Sequence, residues 1–166
     1  WGLDFPGARG NRVDLFGTEH IADGWRTITL AIWERHQDIT GSSSPKLLGN
    51  GFTSPVSLFC GSHGSSVVFY VNGSVIVSGV GARRGKLYHV AGVLDGLYAR
   101  VYVDGVEVKS SAFSDPLAST SSPFAIGDVP LSSVRPWLGL LADGGIWSRA
   151  LTPSEISALA DPSNVD

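Results

Sequence analysis

Residues 86–108 read KLYHVAGVLDGLYARVYVDGVEV, and two Asp-Gly pairs, Asp95-Gly96 and Asp104-Gly105, punctuate the run nine residues apart. Asp-Gly and Asn-Gly pairs tolerate the positive φ angles that two-residue hairpin turns require. The segment between them, Leu97 to Val103, therefore reads as the middle strand of an antiparallel meander running from Lys86 to Val108. Side chains alternate across a strand, so Ala99, Val101 and Val103 point one way while Tyr98, Arg100 and Tyr102 point the other. The smaller set suits a core. The larger set is expected to form an exposed or half-exposed row.

The same grammar extends outward from this segment. From Arg26 to Glu34, Ile28, Leu30 and Ile32 share one face, and Thr27, Thr29, Ala31 and Trp33 share the other. Val67, Phe69 and Val71 oppose Val68 and Tyr70, and Asn72-Gly73 then leads into a further alternating run, Ser74 to Val80. With Asn50-Gly51, the chain holds four such turn pairs. Turn signals at this spacing predict a sandwich or barrel of antiparallel strands rather than βαβ units. Thr40 to Pro45, Gly61 to Ser66 and Ser110 to Pro123 read as loops. One short helix is expected near the carboxyl end: Thr152 caps it, Pro153 occupies its first turn, and Glu155 completes a capping box. Ile156 and Leu159 share its inner face.

At 166 residues with 43% hydrophobic content, the chain has length and core material for a single domain, expected over 1–160 with a tail at 161–166. Only 16% of residues are charged and 21 are Gly, a composition suited to strands and tight turns. The net charge of −3 provides no basic footprint for nucleic acid, and Arg83-Arg84 reads as a solvated turn. Cys60 is the sole cysteine, which excludes an intrachain disulfide, and in the run Leu58-Phe59-Cys60 it reads as a small buried hydrophobe. No run approaches the roughly 20 apolar residues that cross a bilayer, and no charged-then-apolar leader is visible, so a soluble domain without membrane insertion is expected.

The opening stretch, together with LADGGIWSRALTPSEISAL at 141–159, resembles the laminin G-like members of the concanavalin A-like lectin/glucanase superfamily. The first matches a pattern of an aromatic residue, His-Val-Ala, Asp-Gly and then aromatic-Val-Asp-Gly, with Tyr88 where the family often has Trp. The second resembles the family's closing strand and its Arg-Ala-Leu-(Ser/Thr)-Pro-x-Glu-Ile helix. Phe124-Ala125-Ile126-Gly127 and GLDFPGARGNRVDL at 2–15 extend the likeness over most of the chain. The resemblance implies an all-β fold: a two-sheet antiparallel β-sandwich, or jelly roll, with one short C-terminal helix and with the chain ends in adjacent strands. It leaves function open among lectins, glycosidases, adhesion modules and virion parts.

A retaining glycosidase needs two carboxyl groups about 5 Å apart. In the glucanase branch of the family these lie on one strand as Glu-x-Asp-x-x-Glu or a close variant. Here Glu19, Glu34, Glu107 and Glu155 are isolated, so no catalytic residue is assigned. No Gly-x-Ser-x-Gly elbow occurs, and Cys60 has only His63 near it in sequence. His20, His36, His63 and His89 show no metal-ligand spacing. His89 matches a family position, where it reads as a structural hydrogen-bonding residue. The family resemblance implies calcium as the candidate cofactor, held by carboxylates and carbonyls. Asp143 falls near the family's acidic pair, although Ala142 replaces the first member; Asp128 and Asp14 are further candidates.

Tyr98, Arg100 and Tyr102, joined by Tyr70 and Trp33, form the candidate ligand-binding or interface set. Aromatic rings stack on the apolar face of a sugar, but they equally cover sheets or glue subunits together. Trp147 reads as core and Trp137 as a cap at one end of the sandwich, with Trp25 a third anchor. The expectation is a non-catalytic carbohydrate-binding or adhesion module, extracellular or on a particle surface, with a glycan or other protein subunits as partners. The alternative is a structural or decoration subunit of a virion or other multimeric assembly, including a homo-oligomer. A divergent glycosidase comes last, to be revived by detectable hydrolysis of a glucan.

Overall fold

The computed structural model describes residues 2–8, 11–37, 45–52, 55–61, 66–131 and 135–164. Parts of the loops expected at 40–45 and 61–66 lie outside them, as do His63 and the last residues of the expected tail. Among the described residues, two six-stranded sheets face each other. Sheet I runs β1 (Leu3–Pro6), β12 (Leu138–Trp147), β3 (Thr27–His36), β8 (Tyr88–Asp95), β9 (Tyr98–Val103) and β10 (Val106–Ala112). Sheet II runs β2 (Val13–Leu15), β11 (Phe124–Ile126), β4 (Lys46–Asn50), β5 (Val56–Gly61), β6 (Ser66–Val71) and β7 (Ser74–Gly81). Every pairing is antiparallel. The first and last strands are neighbours, with Leu3 opposite Leu141.

Turn chemistry sets the register. Asn72 and Gly73 (φ 46° and 82°) close β6 onto β7, and Asp104 and Gly105 (φ 48° and 80°) close β9 onto β10, as a two-residue turn with both central residues left-handed requires. Asp95 works differently. It precedes the turn, and its Oδ1 accepts the backbone N–H of Leu97 at 2.9 Å and of Tyr98 at 2.7 Å.

The alternation read from the sequence becomes the core. Ile28, Leu30 and Ile32 of β3, Val90 and Leu94 of β8, and Ala99, Val101 and Val103 of β9 meet Leu58, Val67, Phe69, Val71 and Phe124 of sheet II. Each such large side chain contributes about 1.5–3 kcal/mol on burial. Gly92 interrupts the inward row of β8 because the Phe69 ring from the opposite sheet fills the space a side chain would take. Trp137 does not cap an end; it is fully enclosed, and its backbone N–H donates to Gly127 O at 2.6 Å.

Helix α1 (Pro153–Leu159) begins at the expected cap: the Thr152 hydroxyl accepts from Glu155 N, and the Glu155 carboxylate accepts from Thr152 N. It packs on the outer face of sheet I, where Leu151 and Ile156 cover Ala31, Ala91, Val93 and Tyr102. Residues Pro162–Asn164 form a single 3-10 turn. No helix among the described residues is long and apolar enough to cross a membrane.

Candidate functional site

Sheet I carries a groove of about 630 Å³ on its outer face, between β3, β8, β12 and α1. Its shape begins with a bulge. Ala142 pairs with Trp33 and Gly145 with Ala31, so Asp143 and Gly144 together oppose the single residue Ile32. Asp143 takes a left-handed conformation (φ 46°) and is exposed at the groove, while a side chain on Gly144 would meet Ile32 and Ile126. The Trp147 ring folds back over Gly145, a position any Cβ would block. Thr29 pins the following segment: its hydroxyl donates to Arg149 O at 2.9 Å and accepts from Leu151 N at 3.0 Å. That anchoring places α1 as the second wall.

Trp33 and His89 meet edge to face inside the groove, with centroids 5.3 Å apart. His89 is buried and its Nδ1 has no partner among the described residues. Burial pushes its pKa down to about 4, against a smaller upward pull from Asp104. Arg149 and Glu155 face each other at the rim through two hydrogen bonds of 2.9 and 2.6 Å. The Arg149 guanidinium, aided by the Thr152 amide, lowers the Glu155 carboxyl to about 2. These two charges are therefore committed to each other. The Asp143 side chain makes no hydrogen bond or ion pair with another described residue. The groove thus presents an aromatic ring and an open carboxylate, with Trp33 and His89 buried along it.

The five residues expected to form one binding set are divided. Tyr98, Arg100 and Tyr102 do share the outer face of β9, but only Tyr98, at 42% exposure, is open. Tyr102 is 2% exposed because α1 lies over it, a docking that strand alternation cannot register. Its hydroxyl donates to Glu107 at 3.3 Å. Arg100 is held by Asp95 at 3.0 Å and Glu107 at 3.1 Å, with its guanidinium 4.9 Å from the Tyr98 ring. Burial raises the Asp95 carboxyl, but the Leu97 and Tyr98 amides and Arg100 outweigh it and hold the pKa low. Trp33 belongs to the groove instead, 5% exposed. Tyr70 cannot join any of them: it lies on sheet II, edge to face with Phe59 at 5.3 Å. Trp147, read as core, is half-buried and lines the groove.

The three candidate calcium carboxylates do not gather. Asp143 opens onto the groove of sheet I. Asp14 sits on β2 in sheet II, 2.8 Å from Arg12. Asp128 is buried after β11, its Oδ1 taking the amides of Val129 and Arg135 at 2.7 Å each while Oδ2 is unpartnered. Near these two lies the enclosed Lys46, whose Nζ donates to Gly51 O at 2.6 Å. Burial drives the Lys46 pKa down, opposed by the charges of Asp128 and Asp14. Among the described residues the three carboxylates form no common cluster, so most of the six to eight oxygen ligands that calcium takes would have to come from carbonyls and water.

A different group does gather, inside the sandwich. Glu34 and His36 continue the inward phase of Ile28, Leu30 and Ile32, and Cys60 of β5 faces them from sheet II. His36 Nδ1 lies 3.2 Å and Cys60 Sγ 3.9 Å from the Glu34 carboxylate. All three residues are buried, and His36 Nε2 has no partner among the described residues. Burial raises the Glu34 carboxyl, with His36 pulling against it. The signal for two of the three is present in the sequence as an i, i+2 phase; that for the cross-sheet member is not.

With this geometry in view, the chain belongs to the concanavalin A-like lectin/glucanases superfamily, as a laminin G-type member whose family model matches residues 12–157. No curated protein sequence matches it significantly. Among solved structures, it is similar to the CBM40 of the Ruminococcus gnavus IT-sialidase bound to α2,3-sialyllactose, at 15% identity and TM-score 0.73, covering 96% of this chain and 95% of that one. It is also similar to the heptameric SAP-like pentraxin of Limulus polyphemus, at 20% identity and TM-score 0.71, covering 95% and 80%. Domain 4 of AbnA, an extracellular GH43 arabinanase of Geobacillus stearothermophilus, in complex with arabinotriose, matches at 22% identity and TM-score 0.63, covering 84% and 70%. At these identities the likeness is one of fold.

Proposed function

We propose that this domain is a non-catalytic carbohydrate-binding module, working outside the cell as part of a larger protein, and that the groove of sheet I holds the sugar. The observation that carries the reading is the joining of the half-buried Trp147 ring and the open Asp143 carboxylate in one groove lined also by the buried Trp33 and His89. A pyranose or furanose presents an apolar face to such rings and hydroxyls to such polar atoms. The family assignment supports it, as do the two similar structures solved with arabinotriose and α2,3-sialyllactose.

The test is a glycan array followed by calorimetry with both of these sugars, comparing wild type with Trp147→Ala and Asp143→Ala. Binding to the wild type that falls at least tenfold in Trp147→Ala, with circular dichroism unchanged, supports the reading. Equal binding by the variants moves the site off the groove. Running the array with calcium and with chelator tests the remaining metal expectation, since Asp143 is the candidate carboxylate that reaches the groove.

A second reading, the structural subunit, is favoured by the exposed Leu97 and Tyr98 at the β8–β9 turn beside the half-buried Phe113. A folded domain that is blank on the array and forms a defined oligomer in solution would establish it.

A further inference from the structure

We propose that Glu34, His36 and Cys60 form a binding site for one transition-metal dication, Zn2+ by preference, which clamps sheet I to sheet II. Two of these ligands come from β3 and the third from β5, so an ion among them ties the two layers of the sandwich together.

Three observations converge on the site. The first is spacing: one ligand atom from each residue lies within 4.8 Å of the others, and the two contacts to the carboxylate are 3.2 and 3.9 Å. Tetrahedral zinc, with bonds of about 2.0–2.3 Å, sets its ligand atoms about 3.3–3.7 Å apart. Small side-chain adjustments therefore bring the trio to coordinating distance. The second is donor chemistry. Imidazole nitrogen, thiolate sulfur and one carboxylate select zinc or a neighbouring transition ion over calcium or magnesium. In a dry interior, the carboxylate and thiolate charges also balance a dication, so the assembly buries no net charge. The third is enclosure: Glu34, His36 and Cys60 are all fully buried between the sheets, so an ion held there is shielded from water. With three protein ligands, a fourth position remains for water or a further ligand.

The test uses Co2+ as a spectroscopic stand-in for zinc. The domain is refolded with excess Co2+ and desalted. Wild type is expected to retain one ion per chain and to show a cobalt–thiolate charge-transfer band with tetrahedral visible bands; added Zn2+ bleaches the spectrum and raises the melting temperature. Cys60→Ala replaces the thiol with another small apolar group, so it is expected to keep the wild-type circular dichroism and lose the charge-transfer band. His36→Gln is expected to lose the tetrahedral bands. Folded wild type that retains no cobalt overturns the proposal. So does retention in Cys60→Ala with an unchanged spectrum.

Discussion

The end of β3 faces two ways, and its two faces treat polar groups differently. Trp33 points outward into the groove, beside an imidazole with an unpaired nitrogen and a carboxylate open to solvent. Glu34 and His36 point inward and are sealed with Cys60 between the sheets. An unpaired polar atom costs about 1–3 kcal/mol when buried. His89 Nδ1 is itself sealed beneath the groove, where the fold carries that cost. Inside the sandwich, it must be met by a bound species or carried by the fold. A histidine and a carboxylate thus share an open groove on one face and, with Cys60, a sealed cluster on the other.

The largest expected effect separates walls from ligand contacts. Trp33→Ala should cost about 3–5 kcal/mol in urea unfolding, because an almost enclosed indole is deleted. Trp147→Ala should cost far less stability and act mainly on sugar binding.

Acid should act on the outer face through His89. Its folded pKa of about 4 lies below the ordinary value of 6.5, so between these values the unfolded chain binds a proton that the folded one refuses. The stability contribution is fully present above pH 6.5 and is lost as pH falls towards 4, amounting to about 3 kcal/mol in all. Denaturation midpoints measured across that range should slope for wild type and flatten for His89→Phe. A slope unchanged in the variant would assign the acid sensitivity to another group.

Thr152→Ala should cost about 1 kcal/mol by removing the capping box of α1, and should weaken sugar binding modestly by loosening the groove wall. Tyr98→Ala should be smallest, within about 0.5 kcal/mol in stability and without effect on the groove, since Tyr98 is a partly open residue on β9 away from it. Loss of sugar binding in Tyr98→Ala would restore the tyrosine row as the site.

Strand phase carried the fold a long way: Ile28, Leu30 and Ile32 inward, Trp33 outward, and the Asp104-Gly105 turn between β9 and β10 all follow from local alternation and turn chemistry. The same phase already placed Glu34 inward, and extending β3 by two residues places His36 there too. What lies opposite them does not follow, because Cys60 reaches Glu34 across the sandwich from a strand 26 positions away. Tyr70 was grouped with Tyr98 for the same reason: alternation assigns a face within a strand, whereas topology decides which sheet owns it. Tyr102 reads as half-exposed because no local pattern records α1 and the preceding Leu151 docking over it. The groove escaped for a further reason. A bulge at Asp143-Gly144 and a ring folded over Gly145 are read from backbone conformation, and Trp147 within its motif looks like any core tryptophan.

The most direct test of the groove is a nitrogen-15 NMR titration of the domain with the sugar selected on the array. The indole N–H signals of Trp33 and Trp147 and the amides of Asp143 to Gly145 are expected to shift together and saturably. Shifts confined to Tyr70, Phe52 and their neighbours on the outer face of sheet II, with the groove signals unmoved, would contradict it.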